Sequence, residues 1–437
     1  MSKIIKVTGG APVQGTVTIA GSKNAASKAI IASLLTDQPI TLHNIPLQQE
    51  SVLARELVSH LGAITQLSNH TLTLQTATIS NFSVESLSQK NRLAILTLAP
   101  LLHRVGKAQI GFLGGDKIGA RPINFHLEAL QKMGAVVRST EFGHELIAPS
   151  GLTGQLIELP YPSVGTTETV ILAAVLAKGR TVIKNSAVEP EIVDLIMLLQ
   201  KMGAIIEQGA GRELQIIGVD RLGGCEHTIL PDRIEVASFA SLAMATRGEI
   251  FCQGAVHRDL VTFLNAIRRL GGRYQVQPDG ILFQGGTEYR GLQIETDTHP
   301  GFMTDWQQPL VIALTQAVGT SVVHETVYEE RFGYINALTA MGADITPFER
   351  CLGELPCRFK DRNYKHSIIV RGPTPLKAAN LTVPDIRAGL AYLIATLVAE
   401  GESTLTDIDH LERGYEDLYN RLIGLGAKLS LNASDSA

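Results

Sequence analysis

The sequence predicts an α/β protein of six repeated units, arranged as two domains of three units each. Its 437 residues exceed one ordinary hydrophobic core, which favours two domains. A tripeptide, Leu or Met followed by Gly and then Ala or Gly, recurs six times, each time before a strand-like run. The glycines are 68 to 84 residues apart. The tripeptides begin at Leu61, Met133, Met202, Leu270, Met341 and Leu425.

Two helical patterns flank each repeat. An amphipathic helix ends at each tripeptide, for example 192–202 and 261–270, and glycine there suits a left-handed C-cap. Further upstream lies a helix that is apolar on nearly every side, which predicts burial on every side. The unit is therefore a buried helix, a strand, an outer helix, a strand, and a further strand that leads to the next buried helix. The buried helices are expected at 25–35, 93–102, 169–177, 236–245, 310–317 and 388–399.

The phase of the repeats predicts the domain boundaries. Two strand-like stretches, 4–8 and 15–20, precede the first buried helix, whereas the sixth unit ends at 428–431 without such a pair. The N-terminal strands should therefore complete the sixth unit, so that both termini lie in one domain. We expect a domain of units one to three at 21–230 and a domain of units four to six at 1–20 plus 231–437.

Composition excludes several classes of protein. The chain is 45% hydrophobic and 18% charged, with net charge −4, so no strongly basic surface indicates nucleic acid. No signal-peptide run opens the sequence, and the apolar stretch 388–399 is too short to span a bilayer. We therefore expect a cytoplasmic protein without a nucleic-acid, membrane or obligate protein partner.

The four cysteines predict neither a disulfide framework nor a metal site. Cys351 and Cys357 are the close pair, but their spacing is not that of a usual zinc knuckle. We expect ordinary cysteines, no metal and no cofactor. The pair lies in the extra length of the fifth interval, 347–365, which is expected to be a surface excursion without catalytic duty.

The loop 113–122 combines three glycines with titratable groups. Asp116, Lys117 and Arg121 lie among Gly114, Gly115 and Gly119, and a helical pattern follows. A flexible loop that carries cations and a carboxylate suits an anionic ligand with an acid beside it. A solvated surface turn is the alternative interpretation.

Polar residues precede every buried helix, and equivalent units should bring these helix starts to equivalent ends of the two domains. Helix N-termini favour anions, which predicts an anion-binding cleft. Ordinary capping is the alternative, and it suits Thr166, Asp232 and Thr304. It does not suit Lys23 or Arg92, because a cation at a helix N-terminus is unfavourable. The candidate cations are Lys23, Arg92, Arg121, Arg331, Arg387 and Arg413.

Nine segments together resemble the family of UDP-N-acetylglucosamine enolpyruvyl transferases. Any one motif is weak, but their order and spacing are specific. The resemblance covers nearly the whole chain and implies two inverse α/β barrel domains of three units each, facing each other across a cleft. The segments are 22–26, 114–122, 163–165, 189–191, 230–235, 304–305, 325–332, 385–388 and 413–415.

The resemblance implies a transferase that moves the enolpyruvyl group of phosphoenolpyruvate to the 3′-hydroxyl of UDP-N-acetylglucosamine. The reaction is an addition followed by an elimination that releases phosphate. It is the first committed step of peptidoglycan synthesis, and so serves cell wall biogenesis, cell shape and cell division. The implied catalytic residues are Asp116 as proton donor to the methylene carbon, Asp305 as base on the hydroxyl, Lys23 and Arg413.

The resemblance also implies two sets of binding residues. The set for phosphoenolpyruvate is Lys23, Asn24, Arg92, Arg121, Arg331, Arg387 and Arg413. The set for the UDP-sugar is Asn24, Arg92, Arg121, Pro122, Ile123, Asn124, Phe125, Ser163, Val164, Gly165, Asp305 and Val327.

This chain departs from the family pattern at three positions. Many members carry cysteine in place of Asp116, aspartate in place of Asn124 and lysine in place of Tyr161. We expect structural or surface roles for three histidines that could suggest acid–base chemistry: His126, His299 and His410.

Two other functions stay open. One is a 5-enolpyruvylshikimate-3-phosphate synthase, which shares the fold and the donor but lacks a comparable acid-bearing loop. The other is a non-catalytic sugar-nucleotide sensor, against which the joint presence of Lys23, Asp116, Asp305 and Arg413 argues.

Overall fold

The computed structural model describes residues 3–89, 92–114 and 122–433, without the side chains of Lys3, Ile386, Arg387, Glu412, Arg413 and Ala433. Described residues between Gly21 and Leu230 cluster into one compact unit, here domain A. Those before Gly21 and after Leu230 cluster into another, domain B. Each has its own hydrophobic core. We keep the division at Gly21 and Leu230 as our proposal for the domain organisation.

The described residues form 23 strands. In chain order they are β1 Lys3–Thr8, β2 Gln14–Thr18, β3 Ile40–His43, β4 Ile64–Ser68, β5 Thr71–Gln75, β6 Lys107–Gly111, β7 Val136–Ser139, β8 Gly143–Ile147, β9 Leu156–Glu158, β10 Arg180–Lys184, β11 Ile205–Gln208, β12 Leu214–Ile217, β13 Cys225–Thr228, β14 Glu249–Gln253, β15 Arg273–Gln277, β16 Gly280–Gln284, β17 Gln293–Glu295, β18 Gly319–His324, β19 Asp344–Phe348, β20 Ser367–Gly372, β21 Asn380–Thr382, β22 Glu402–Thr406 and β23 Lys428–Ala433.

The same residues form 14 α-helices and three short 3₁₀ helices, at Ser33–Leu35, Leu93–Thr97 and His257–Asp259. The α-helices are α1 Lys23–Ala32, α2 Gln49–His60, α3 Glu85–Ser88, α4 Leu98–Val105, α5 Asn124–Lys132, α6 Val164–Ala174, α7 Pro190–Lys201, α8 Arg233–Ala245, α9 Val261–Leu270, α10 Thr304–Thr315, α11 Ile335–Ala340, α12 Ile386–Val398, α13 Asp409–Gly414 and α14 Leu418–Gly424. None of these helices is long and apolar enough to cross a membrane.

The repeating unit has one strand more than the sequence predicts. In the third unit the order is α6, β10, α7, the hairpin β11–β12, and then β13. Three strands therefore follow the outer helix, where we expected two. The expectation was wrong because the hairpin turns are short and the last strand has three or four residues, as in β9, β13, β17 and β21.

Most sheets share one spatial order of four strands. The two strands of a hairpin come first, next to them lies the strand that follows the buried helix in the chain, and a strand parallel to it forms the other edge. Domain A contains β11-β12-β10-β9 and β4-β5-β3-β13, and domain B contains β15-β16-β14-β2 and β19-β20-β18-β17. β2 is parallel to β14, the strand after α8 in domain B. β13 is parallel to β3, the strand after α1 in domain A. In the second unit the sheet is β6-β8-β7, and a parallel bridge from Ser83 to Gln109 takes the fourth place.

The N-terminal strand completes the sheet of the sixth unit. β1 lies between β22 and β23 and is antiparallel to both, so Val7 is opposite Ser403 on one side and Leu429 on the other. It holds the place that β16 or β20 holds in other units of domain B. The two ends of the described chain are therefore neighbours in one sheet.

The glycines of the six tripeptides have the conformation that a left-handed C-cap requires. Their φ angles range from 84° to 114°, a region that residues with a Cβ rarely adopt. This confirms the sequence prediction. The glycines are Gly62, Gly134, Gly203, Gly271, Gly342 and Gly426.

The buried helices overlap the stretches that their apolar patterns predict, and the clearest departure is at 93–102. α8 is buried along its whole length, as is α6 from Thr166 onward. Each large aliphatic side chain removed from water contributes about 1.5–3 kcal/mol. The single helix expected at 93–102 is instead a 3₁₀ helix followed by α4. Pro100 accounts for the break, because proline has no N–H to donate and is tolerated best in the first turn of a helix, where α4 holds it.

Candidate active site

A buried ion pair marks the start of α10 in domain B. Arg331 Nη2 donates to Asp305 Oδ1 at 2.9 Å, and the side chain of Arg331 is 3% exposed while that of Asp305 is 21% exposed. Arg331 Nε finds no hydrogen-bond partner among the described residues. The pair thus leaves a guanidinium donor unused and a carboxylate partly open to solvent.

Glu325 organises the segment that carries Val327 and Arg331. Its Oε1 accepts the backbone N–H groups of Val327 and Tyr328 at 2.7 and 3.1 Å. Its Oε2 accepts from the hydroxyl of Thr304 at 2.8 Å. The buried carboxylate of Glu325 therefore connects the turn that contains Val327 to Thr304, the first residue of α10.

The starts of the three buried helices of domain B meet. Arg233, the first residue of α8, lies over the ring of Trp306 in α10, with 5.6 Å to the centroid. Asp385, whose Oδ1 caps α12 by accepting from Ala388 N at 3.0 Å, acts electrostatically on Arg331. α10 links the parallel strands β17 and β18, and α12 links β21 and β22. α8 leads into β14, which is parallel to β2, so all three helices begin at equivalent ends of their sheets.

Charge and burial oppose each other at this site. Burial alone lowers the pKa of Arg331, but Asp305 and Glu325 reverse this effect, so its pKa is raised and the guanidinium stays charged. Burial raises the pKa of Glu325, although Arg331 and the donors around the carboxylate oppose the rise. A cation held in this way, at helix N-termini, suits a small anion.

In domain A, the start of α6 is capped and tightly packed. Ser163 Oγ accepts from Thr166 N at 3.3 Å, which is an ordinary N-cap. A Cβ on Gly165 would lie 3.1 Å from Cε1 of His126, so the imidazole packs directly on the first turn. A helix N-terminus of this kind favours an anion.

His126 has a structural place, as the sequence predicts. Its Nδ1 lies 2.8 Å from Thr169 Oγ1 inside the core. Burial, assisted by the charge of Arg92, lowers its pKa to about 4. The imidazole is therefore neutral at physiological pH. Its electrostatic coupling to Arg92 shows that this cation lies near the start of α6.

A second buried carboxylate lies deeper in α6. Glu168 Oε1 is 3.9 Å from Nζ of Lys28 in α1. Burial raises the pKa of Glu168 to about 7, while Lys28 opposes the shift and Glu191 and Glu189 assist it. Lys28 and Glu168 therefore join the two helices whose starts carry Lys23 and Ser163.

The remaining sequence candidates of domain A lie at two helix starts. Lys23 and Asn24 are the first two residues of α1, where Ser22 Oγ accepts from Ala25 N at 3.4 Å. Asn124 begins α5 and donates to Glu128 at 3.3 Å. Ile123 packs against the core, whereas Pro122 is exposed and Phe125 half-buried.

Several candidates lie outside the description. Asp116, Lys117 and Arg121 are outside the described residues, as is most of the glycine loop. Arg387 and Arg413 lie in α12 and α13, but their side chains are not described. Among the candidates with described side chains, Asp305 and Arg331 are in direct contact.

Sequence reasoning missed three groups that hold the site together. Arg233 and Glu168 belong to the polar residues that precede buried helices, but no individual role was assigned to them, to Glu325 or to Lys28. Glu325 stood in a quoted motif, and a carboxylate directly after a buried strand was a usable signal. Nothing in the sequence distinguishes Lys28 from an ordinary polar residue on a largely apolar helix, so its ion pair could not be predicted.

Comparison with known proteins gives a consistent result. Residues 7–422 match the model of the family described as EPSP synthase (3-phosphoshikimate 1-carboxyvinyltransferase). The UDP-N-acetylglucosamine 1-carboxyvinyltransferase of Protochlamydia amoebophila (strain UWE25) is 45% identical, over 98% of this chain and 94% of the relative. That of Chlamydia pneumoniae is 45% identical over 98% and 95%.

Solved structures share the fold at lower identity. The enolpyruvyl transferase NikO from Streptomyces tendae superposes with a TM-score of 0.87 at 22% identity, over 99% of both chains. EPSP synthase from Acinetobacter baumannii gives 0.75 at 15% identity, over 99% of this chain and 100% of that one. The chain therefore has the enolpyruvyl transferase fold, and it belongs to the EPSP synthase family and, within it, to the UDP-N-acetylglucosamine 1-carboxyvinyltransferases.

Proposed function

We propose that this enzyme transfers the enolpyruvyl group of phosphoenolpyruvate to the 3′-hydroxyl of UDP-N-acetylglucosamine. The hydroxyl oxygen bonds to C2 of phosphoenolpyruvate, while its own proton leaves to a base and the methylene carbon gains a proton. A proton then leaves the new methyl group, and the C2–O bond to phosphate breaks. The products are the enolpyruvyl ether of the UDP-sugar and inorganic phosphate.

The observation that carries this proposal is 45% identity to UDP-N-acetylglucosamine 1-carboxyvinyltransferases along 98% of the chain. The solved EPSP synthase of Acinetobacter baumannii, by contrast, is only 15% identical. The acceptor is therefore inferred from full-length relatives, while the geometry of the helix starts supports an anionic donor.

Asp305 is the proposed base. Its carboxylate is partly exposed, while Arg331 holds Oδ1 at 2.9 Å. An anchored carboxylate that is partly exposed to solvent can reach a hydroxyl with little loss of side-chain freedom. Val327, fixed by Glu325, is proposed to pack against the uracil.

Fixed cations are the proposed anion binders. Arg331 has a buried Nε without a hydrogen-bond partner among the described residues, which a carboxylate or phosphate oxygen could satisfy. We propose the same kind of role for Lys23, Arg92, Arg121, Arg387 and Arg413, and for Asn24 on the sugar. The turn Ser163–Gly165 and residues 121–125 are proposed to bind the uridine and the diphosphate.

Asp116 is the proposed proton donor to the methylene carbon, on sequence grounds. As an aspartate it must be protonated in the complex, which nearby substrate anions and loss of water would favour. The cellular role follows from the reaction: peptidoglycan synthesis in the cytoplasm, and through it cell shape and division.

Release of inorganic phosphate tests the proposal. Purified enzyme is incubated with phosphoenolpyruvate and one of three acceptors: UDP-N-acetylglucosamine, shikimate 3-phosphate, or none. We expect phosphate release with the sugar nucleotide alone. Turnover of shikimate 3-phosphate would assign the EPSP synthase reaction, and binding of the sugar nucleotide without turnover would assign a sensor.

A further inference from the structure

Four metal-binding side chains converge beside β18 and β20 in domain B. One ligand atom from each of His324, Cys351, Cys357 and His366 lies within 4.8 Å of the other three. His324 ends β18, and His366 comes directly before β20, which pairs with it. The two cysteines come from the segment that joins β19 to β20. Residues 42 positions apart in the sequence, His324 and His366, are therefore neighbours in space.

We propose that this cluster is a structural zinc site with two thiolate and two imidazole ligands. Two sulfurs and two nitrogens are a ligand set that zinc prefers in closed, tetrahedral structural sites. On binding, Zn²⁺ replaces the protons of both thiols, which pass to solvent. The complex of Zn²⁺ with two thiolates and two neutral imidazoles has no net charge, so its burial does not leave an isolated ion in the core.

The spacing of the ligand atoms agrees with this geometry. In a tetrahedral site with Zn–S of about 2.3 Å and Zn–N of about 2.0 Å, ligand atoms are roughly 3.3–3.8 Å apart. Cys351 Sγ and His366 Nε2 are 3.4 Å apart. The widest separation of 4.8 Å closes to this range with side-chain movements of less than about 1 Å.

The other nitrogen of each imidazole is already held. His366 Nδ1 lies 2.7 Å from the carbonyl oxygen of Tyr364 and donates a hydrogen bond to it, so the free lone pair of the imidazole is on Nε2. His324 Nδ1 lies 2.8 Å from Ser367 Oγ. His324 Nε2 is buried and has no hydrogen-bond partner among the described residues. Histidines that bind zinc are oriented by this kind of second hydrogen bond.

The surroundings also suit a metal–thiolate centre. Cys357 Sγ accepts the backbone N–H of Phe359 at 3.4 Å, a contact that stabilises a thiolate. The ring of Phe359 is fully buried and stands edge-on to His366, with 6.0 Å between ring centroids. The segment is thus folded inward around the cluster.

A zinc ion here would explain why a long irregular segment has a defined fold. The carboxylate of Glu295 accepts the N–H groups of Glu354 and Leu355, both at 2.8 Å, and Arg358 donates to the carbonyl of Val327. These contacts join the 349–366 segment to the end of β17 and to the turn that Glu325 organises. We infer that zinc fixes this segment in place and takes no part in the reaction.

Metal analysis of the whole enzyme tests the proposal. The protein is purified without chelators and without an affinity tag that binds metal, and zinc, iron and copper are measured by mass spectrometry. We expect one zinc per chain, released by a mercurial reagent that modifies thiols. Replacement by Co²⁺ should give thiolate-to-cobalt charge-transfer bands and the intense visible bands of a tetrahedral site.

Two variants and a matched control locate the ion. Cys351→Ser and Cys357→Ser should each lose zinc, whereas Cys225→Ser, a half-buried thiol of domain A, should keep it. In the variants that lose zinc, hydrogen exchange should accelerate in 349–366 but not in β1. Because metal content and exchange are read without turnover, they are independent of the proposed reaction.

Two results would overturn the proposal. The first is wild-type protein without zinc, or with zinc that survives both cysteine substitutions. The second is a disulfide between Cys351 and Cys357, seen when denatured, chelated protein has two free thiols instead of the four it should have. The absence of zinc and the disulfide are both measured on the wild-type protein, so the proposal can be contradicted even if the variants do not fold.

Discussion

Asp305 and Arg331 contact each other, and each also has a proposed role towards a substrate. Arg331 is almost completely buried, so removal of its partner would leave a charge poorly compensated, which is strongly destabilising. A substitution by alanine would therefore confound loss of a base with loss of the hydrogen bond and the charge that hold Arg331. Asparagine keeps an oxygen acceptor for the guanidinium, whose charge Glu325 still faces, but cannot accept a proton from the sugar.

Asp305→Asn should lower turnover at least about 100-fold while it changes the melting temperature little. The measurements are phosphate release and thermal unfolding of the same preparation. The control is Asp344→Asn, which breaks an ion pair with Arg371 in which both side chains are about half exposed and should alter neither quantity much. Near-normal turnover together with a lower melting temperature would mean that Asp305 only anchors Arg331.

Asp116, which lies outside the described residues, gives a second prediction at this scale. A free aspartate titrates near ~3.9 and a cysteine near ~8.5, so a cysteine holds its proton at neutral pH without help. Asp116→Asn should nearly abolish turnover, whereas Asp116→Cys should retain activity with a profile moved to higher pH.

Alkylation gives an independent check on Asp116. Epoxides that modify a thiolate should inactivate the cysteine variant and spare the parent, because a carboxylate is a far poorer nucleophile. Full activity in Asp116→Asn would rule out the proposed acid.

At the scale of the element, the buried helices begin earlier than their apolar patterns. The sequence predicts starts at 169, 236 and 310, but α6, α8 and α10 begin at Val164, Arg233 and Thr304. The first turn of each helix contains polar or charged residues, which can be buried because caps and ion pairs satisfy them. The apolar periodicity therefore begins about one turn after the helix itself begins. The site lies in those first turns, which is why the sequence indicates the helices better than their site-bearing ends.

Glu168 in α6 predicts a pH effect on stability. Burial raises the pKa of Glu168 to about 7 from an unfolded value of 4.5, so the folded state keeps a proton that the unfolded chain releases. Its contribution to stability is therefore present below pH 4.5 and is lost as the pH rises through about 7. The loss is on the order of 3 kcal/mol for a shift of this size.

Glu168→Gln should remove that loss. Its free energy of unfolding, relative to the wild type, should increase between pH 5 and pH 8, as measured by urea denaturation. Glu158→Gln, which alters an exposed carboxylate of the same domain, is the control. An equal difference at both pH values would mean that Glu168 keeps its charge in the folded protein.

At the scale of the whole molecule, the six-fold repeat and the place of the N-terminal strand were readable from the sequence. Glycine spacing revealed the period, and the phase of the first and last units indicated that β1 belongs with β22 and β23. The convergence of Cys351, Cys357, His324 and His366 was not readable, because His324 lies 27 positions before Cys351, at the end of another strand. Spacing rules detect metal sites only when the ligands are close in sequence.

The central position of β1 predicts a strong effect of its buried side chains. Ile5 is completely buried between β22 and β23, so Ile5→Ala should reduce the free energy of unfolding by about 2–5 kcal/mol. Lys6→Ala, which removes an exposed contact with Glu402, should have a small effect in the same denaturation experiment. Equal effects of the two substitutions would contradict the structural place of β1.

The central claim is that this enzyme forms a bond between C2 of phosphoenolpyruvate and the 3′-oxygen of UDP-N-acetylglucosamine, and one measurement detects that bond directly. Phosphoenolpyruvate labelled with ¹³C at C2 is incubated with UDP-N-acetylglucosamine and the enzyme, and the product is followed by nuclear magnetic resonance. We predict that the labelled carbon becomes the ether carbon of an enolpyruvyl group, with a coupling across oxygen to H3′ of the sugar. A label that stays in phosphoenolpyruvate, or that appears in pyruvate while the sugar is unchanged, would contradict the account.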